Sequence, residues 1–204
     1  MKFENTETFN WEGAFRGLRN PMDSWLNSDS HTSKDSKFII GENDMNLAQR
    51  MIKGGTEQSK FLRQIFVSVD ITAPRYWWSE FDTYKIGTVS NSCSTMHKLS
   101  AYPITLDMFE IDLNNTELSY WNTVISHLES LREKYKKTKD YKWFRLLKQE
   151  LPEAFLQKRT ITLNYAVLRK QYMQRKSHKL ICWNTYYIEW IKSLSYSKDL
   201  IMYE

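Results

Sequence analysis

A chain of 204 residues, 41% of them hydrophobic, is long enough to bury a full core and short enough to form one domain over 1–204, which excludes a disordered chain. The formal net charge of +5 favours anionic partners such as nucleotides and phosphates, whose local concentration a positive field raises. An aromatic content of 15%, with 8 Trp and 12 Tyr, supplies stacking surface as well as core volume, as a ligand site or a subunit interface requires.

The first residues, Met1-Lys2-Phe3-Glu4-Asn5, lack the apolar core of a signal segment. Trp11 to Leu18 predicts a short helix ending near Asn20-Pro21, and Asn27 to Ser36, rich in Ser, Asp and Lys, predicts a loop. Asn43 is the expected N-cap of a helix that carries Met45, Leu47, Ala48, Met51 and Ile52 and stops at Gly54-Gly55. From Leu62 to Ile71 the series Ile65, Val67, Val69 and Ile71 alternates with Ser68 and Asp70, which predicts a half-buried strand closed by Pro74.

A helix is expected from Pro74 to about Tyr84, with Pro in the first turn, and the polar run around Gly87 reads as a loop. Asn114-Asn115-Thr116 is a sequon that reads as a polar turn. Leu118, Trp121, Ile125, Leu128, Leu131 and Tyr135 recur at helical spacing across Thr116 to Lys137, and Asp140 is placed to cap a second helix, Tyr141 to Glu150. Arg159 to Asn164 alternates as a short strand, and Tyr165 to Gln174 and Leu180 to Ser193 read as helices. The fold class is α+β, helix-rich, a single domain with a small central sheet.

Much of the positive charge sits in Arg132 to Lys142 and Arg169 to Lys179, where a solvated helix face is the first reading. Without an RNP motif, zinc-finger spacing or a long basic tail, nucleic acid is the minority partner. Cys93 and Cys182 cannot make a disulfide framework, and no Cys/His cluster has metal-ligand spacing. No run of about 18 apolar residues is present. A cytoplasmic protein in a reducing compartment is expected, with no membrane partner and no metal.

The run from Ala73 to His97 is the densest in chemistry. It holds five aromatics, two cations, two carboxylates, a thiol, an imidazole and eight Ser, Thr or Asn side chains. Such a mixture suits a polar planar ligand better than a core. Glu80 and Asp82, two apart, face different directions on a helix and make a poor acid–base pair. Cys93 and His97 are four apart, but a buried thiol beside a surface His is the preferred reading. Gly54-Gly55 lacks the spacing of a phosphate loop. Arg forks at Arg159, Arg169 and Arg175, with Lys148, suit phosphate or a uracil carbonyl edge, although Arg169 reads as a solvated face.

Two sets of spacings resemble the flavin-dependent thymidylate synthases. That family has a strand end, a helix and then Arg-His-Arg-x-x-Ser-x-Asn-Glu-x-Ser-x-Arg-Tyr. With Ala73-Pro74 on the strand end, Thr83 to Met96 falls on this signature without a gap. Thr83, Tyr84 and Lys85 stand for Arg-His-Arg, Thr88 for the first Ser, Ser90 and Asn91 for Asn-Glu, and Cys93 and Thr95 for the second Ser and the last Arg. Glu80 stands for an upstream Gln that holds the pyrimidine. The family also has an Arg three before Leu-Pro, an Asn twelve past that Pro and an Arg eleven further on, closely followed by His. Here these are Lys148, Leu151-Pro152, Asn164, Arg175 and His178.

The resemblance runs from about Ile40 to Tyr196 and leaves residues 1–39 unanchored. It implies a homotetramer whose sites are built from more than one chain, with FAD as cofactor and NADPH and methylenetetrahydrofolate as co-substrates for converting dUMP to dTMP. It implies flavin contacts at Tyr84, Lys85, Ser90, Asn164 and His178. Substrate contacts would be Glu80, Thr83, Asn91, Cys93, Ser94, Thr95, Lys148 and Arg175, with Lys148 and Arg175 the catalytic cations that polarise the base. Trp77 and Trp78, with Tyr84, would offer stacking in place of the lost signature cations. A nucleotide-binding module that does not turn over, or an interaction protein with an aromatic surface, are the other readings.

Overall fold

The computed structural model describes residues 1–112 and 117–204, the side chain of His97 excepted. The sequon at Asn114-Asn115-Thr116 lies outside the described residues. The fold is α+β, helix-rich with a small antiparallel sheet. The strands are β1 Lys2–Phe9, β2 His31–Thr32, β3 Phe38–Ile39, β4 Phe66–Pro74, β5 Val89–Ser92 and β6 Leu156–Asn164. The helices are α1 Trp11–Arg19, α2 Glu42–Lys53, α3 Arg75–Phe81, α4 Thr95–Lys98, α5 Leu118–Thr138, α6 Tyr141–Gln149, α7 Tyr165–Arg175 and α8 Ile188–Ser193. The main sheet has the order β1-β4-β6-β5, and β2 and β3 form a separate antiparallel pair with His31 opposite Ile39. Among the described residues no helix is long and apolar enough to cross a membrane.

The chain gathers into two compact units. The first comprises Met1–Lys2, Ile71–Thr83 and Asn91–Arg159, and the second Phe3–Asp70, Tyr84–Ser90 and Thr160–Glu204.

In the first unit, α5 and α6 bury Leu128, Leu131 and Leu147 against Leu99, Ile104, Phe109 and Leu151; Leu128 and Leu131 belong to the stripe that helical spacing predicts, whereas Leu118, at its start, is 47% exposed. Asp140 caps α6 as expected, its side chain accepting the Lys142 N–H at 3.0 Å. The aromatic half of the Ala73 to His97 run is core, which corrects the stacking role expected of it. Trp77 and Trp78 are 0% and 1% exposed, and the Phe81 ring stacks on Trp77 at 4.9 Å. Their bulk is apolar, and the Trp78 indole N–H is paired: Nε1–H donates to the Gln157 carbonyl at 2.9 Å. Arg132 corrects the solvated-face reading at its own position. It is 3% exposed and donates to Glu129 and Glu133.

In the second unit, α1 buries Trp11, Ala14, Phe15 and Leu18 along one stripe. Helix α2 starts at Glu42 with Gly41 at its N-cap, and Asn43 is not the cap. The capping acceptor comes from a distant loop: Asp29 takes the N–H groups of Asn43 and Asp44 at 2.8 and 3.1 Å. That loop is tied to the helix through Asp44. Ser28 and Ser30 donate to Asp44 at 2.7 and 2.6 Å, and Arg19 reaches the other oxygen at 2.7 Å. Burial pushes the Asp44 carboxyl up, but the bonds from Ser30, Ser28 and Arg19 outweigh it and hold the pKa below the usual range. Asp44 is wholly buried and Arg19 nearly so, and Asp44→Ala is expected to cost about 3–5 kcal/mol by leaving the guanidinium unpaired. Because a depressed carboxyl stabilises above its unfolded pKa and loses that contribution as pH falls through its folded one, the gap from wild type should narrow in strong acid. Urea unfolding checks both, and a loss under about 1 kcal/mol at neutral pH would contradict the pairing.

Other boundaries move for local reasons. Lys60–Gln64 is a 3-10 turn that buries Phe61 and Leu62, so β4 begins at Phe66 instead of Leu62. Helix α3 takes Pro74 as N-cap. The polar run around Gly87 holds β5 and α4, and β6 begins at Leu156, earlier than Arg159. Cys182–Tyr187 is π-helical before α8. Arg169, read as solvent-facing, instead donates from Nη1 to the carbonyls of Ile201 and Tyr203 at 2.9 and 2.5 Å, tying the chain end to α7.

Candidate functional site

Two cavities, one in each unit, are lined by cations without a carboxylate among the described residues. The first-unit cavity, of about 420 Å³, is built where α4 meets the start of β6. The Cys93 N–H donates to the Lys158 carbonyl at 2.9 Å, and Gln157 Nε2 donates to the Cys93 carbonyl at 3.0 Å. The chain at Cys93 is thus pinned from both sides. Cys93, Ser94 and Thr95 line the cavity, together with Lys98 and Lys158, over an apolar floor that includes Leu99, Met108 and Phe155.

Lys148, in the last turn of α6, donates from Nζ to Thr95 Oγ1. Burial first, and then the neighbouring Arg75 guanidinium, push its pKa below the ordinary lysine value. A cation held at such a cost binds an anion readily, because the anion offsets both terms. No Asp or Glu lines this cavity among the described residues. The Cys93 thiol is exposed, which corrects the expectation of a buried one, and the side chain of His97 lies outside the described residues.

The second-unit cavity, of about 700 Å³, is lined by Asn164, Val167 and Lys170 of β6 and α7, by Ile86-Gly87, and by Ser59 and Arg63. Gly87 is required here. Its φ is +76°, and a Cβ would fall 2.9 Å from Asn164 Nδ2 and 3.1 Å from Val167 Cγ2. Asn164 Oδ1 accepts the Val167 N–H at 3.0 Å and so caps α7, which commits that oxygen to the helix. Arg63, Arg169 and Lys170 contribute positive charge to the lining, and again no carboxylate lines it among the described residues.

Tyr84 and Arg175 form a third cluster, also in the second unit. Arg175 Nε–H donates to the Tyr84 hydroxyl at 2.9 Å, which donates to Gln174 Oε1 at 2.9 Å, while the guanidinium lies 4.5 Å from the Trp183 ring centroid. Neither residue lines the two cavities.

Of the residues singled out in the sequence, Cys93, Ser94, Thr95 and Lys148 are brought together, as are Tyr84 and Arg175. Thr83 turns its hydroxyl onto the Glu80 carbonyl at 2.8 Å. Lys85, Ser90 and Asn91 are exposed and line neither cavity. His178 Nδ1 accepts the Leu180 N–H at 3.2 Å and closes the turn after α7. Arg159, weighed as a phosphate fork, is committed to Asp82 at 2.7 Å and to the face of Trp78 at 4.3 Å. Sequence reasoning missed Lys98 and Lys158 in one cavity and Arg63 and Lys170 in the other. Reading the polar run as a helix from Thr95 would have found Lys98, one turn on.

No family model matches the sequence, and no curated protein matches it. Among solved structures the chain is similar to the crystal structure of flavin-dependent thymidylate synthase ThyX from Helicobacter pylori complexed with FAD and dUMP. The TM-score is 0.72 at 17% identity, over 100% of this chain and 98% of that one. A second structure of ThyX from Helicobacter pylori with FAD and dUMP gives the same score and identity over 98% and 97% of the two chains. At this identity the likeness is one of fold.

Proposed function

We propose that this chain binds a pyrimidine nucleoside monophosphate, dUMP, in the first-unit cavity and a flavin nucleotide, FAD, in the second. The observation that carries the reading is the charge of the two linings: cations in each and no carboxylate in either, on a fold whose solved examples hold FAD and dUMP. Lys148, Thr95 and Lys98 would take the phosphate, and Ser94 and Cys93 the nucleoside, while Asn91, Glu80 and Thr83, which do not line the cavity, would meet the ligand only at its edge. Arg175, which lines neither cavity, would join Lys148 in polarising the uracil only from a neighbouring copy, in a site built from more than one chain. The second cavity fits a flavin in kind, since Asn164 retains its Nδ2 donors and Arg63 and Lys170 face a mainly apolar space. Tyr84, Lys85, Ser90 and His178 would complete its contacts. The bound flavin would supply reducing equivalents, with NADPH and methylenetetrahydrofolate as co-substrates. In a homotetramer, the assembly expected of this fold, Ile86 and Val89, apolar and 93% and 71% exposed beside Gly87, would be covered.

A second reading, nucleotide binding without turnover, is favoured by one observation. Thr83, Lys85 and Thr95 stand where the family signature has arginines, and Thr83 spends its hydroxyl on its own helix. Each lost charged contact to a buried anion costs several kcal/mol if nothing replaces it, on the order of 2–5.

The purified protein tests the two parts separately. Flavin absorbance with FAD released on denaturation supports the flavin site, and a colourless protein that takes up no added FAD sinks it. A ligand at a hundred times its dissociation constant stabilises by about 2.7 kcal/mol, so dUMP should raise the melting temperature. Absence of a shift with any pyrimidine nucleotide would defeat both readings. Arg175→Ala should abolish dUMP binding with the fold intact, because Tyr84 keeps Gln174 as a partner. Unchanged affinity in a calorimetric titration would remove Arg175 from the site.

A further inference from the structure

We propose that the tip of the α5–α6 hairpin, in the first unit, is a binding surface for single-stranded nucleic acid. Residues 134–145 carry Lys134, Lys136, Lys137, Lys139, Lys142 and Arg145 against the single carboxylate of Asp140, a net +5 that equals the net charge of the whole chain. All six cations are exposed. Composition alone read this segment as a solvated helix face; its concentration at one tip, and the state of its cations, argue otherwise.

Few of these charges are answered locally. Lys136 lies 3.8 Å from Glu133 and Lys142 lies 3.2 Å from Asp140. The side chains of Lys137, Lys139 and Arg145 make no hydrogen bond or ion pair among the described residues. Lys139 sits at the apex in left-handed backbone, φ +55°, where glycine is the favoured residue. The tip therefore keeps a lysine at a position that a helix stop alone would not ask for.

Aromatic rings lie among the cations. Lys134 and Lys142 lie over the Trp143 ring at 4.7 and 4.8 Å from its centroid, and Tyr141 is 69% exposed. Cations that follow a phosphate backbone beside rings on which bases stack are the means by which proteins hold single strands without reading sequence. A duplex would leave Tyr141 without a base face to stack on. A membrane surface requires an apolar face to bury, and here that face is spent: Leu128, Leu131, Phe144 and Leu147 are all 4% exposed or less.

Fluorescence anisotropy with a labelled oligothymidylate, in the presence of excess dUMP to occupy any nucleotide site, tests the proposal. The wild-type protein should bind with a log–log salt slope of roughly −2 to −3.5, as three to five displaced counterions on a single strand give. Lys137→Gln/Lys139→Gln/Arg145→Gln should weaken binding about tenfold or more and flatten the slope by about 2, with the melting temperature and dUMP affinity unchanged. Tyr141→Ala should lose affinity while keeping the slope. The proposal is overturned if the triple variant binds as wild type does, if no binding occurs at low salt, if duplex binds as tightly as single strand, or if only vesicles of phosphatidylserine are bound.

Discussion

Replacing Lys148 by Met should weaken the proposed dUMP binding about a hundredfold and leave the stability of the free protein unchanged or slightly raised. The first half follows from the removal of a charged, half-buried contact to a phosphate, an effect in the range of about 2–5 kcal/mol. The second follows from the environment of Lys148, where burial and Arg75 already disfavour the ammonium. Because its folded pKa is depressed, the unfolded chain holds the proton more tightly than the folded one. Between the lowered pKa and the ordinary value of 10.5, unfolded chains bind more protons, so wild-type stability gains on the variant as pH rises through that window. Phosphate affinity moves the opposite way, falling with pH sooner than at an ordinary lysine. Calorimetric titration at neutral and alkaline pH, with thermal unfolding alongside, measures both. A variant that binds dUMP as tightly as wild type would remove Lys148 from the phosphate site.

Trp78→Ala is expected to cost about 3–5 kcal/mol of stability. The indole is 1% exposed, packs edge-on against Trp77 and Phe81 at 4.8 and 5.4 Å, and carries the Arg159 guanidinium on its face. Truncation leaves a cavity among large rings that cannot collapse and releases the Gln157 carbonyl that Trp78 satisfies. Since Gln157 also donates to the Cys93 carbonyl, the same variant should loosen the wall of the first-unit cavity and weaken the proposed dUMP binding as a secondary effect. Urea unfolding gives the first number. A cost under about 1 kcal/mol would mean that Trp78 serves a ligand and is dispensable to the core.

The Trp78 case shows where sequence reasoning succeeds and where it stops. Periodicity is local, and it made α5, α6 and the alternation of β4 legible, because each presents an apolar stripe to a neighbour. Strand β1 offered no such stripe. Its side chains are nearly all exposed or half-buried, and Asn5, at φ +52°, interrupts it while donating to Asp70 at 3.0 Å. Pairing at the sheet edge, which composition does not encode, holds it. The N-terminus of α2 was misplaced for a similar reason, since its acceptor is Asp29, far along the chain.

The candidate site divides along the same line. Cys93, Ser94, Thr95 and Lys148 were legible through spacing against a family signature, and the fold brings them together. Lys98 and Lys158 were not, because their place in the lining depends on α4 and on β6 beginning at Leu156. The dense run from Ala73 to His97 read as one feature and folds as two. Its aromatic half is core, and its polar half supplies a cavity wall.

The most direct test of the account is an amide chemical-shift titration of the isotopically labelled protein with dUMP. The account predicts saturable shifts centred on Cys93, Ser94, Thr95 and Lys98, whose midpoint rises about a hundredfold in Lys148→Met. No shifts at any dUMP concentration, or shifts confined to residues away from that cavity, would contradict it.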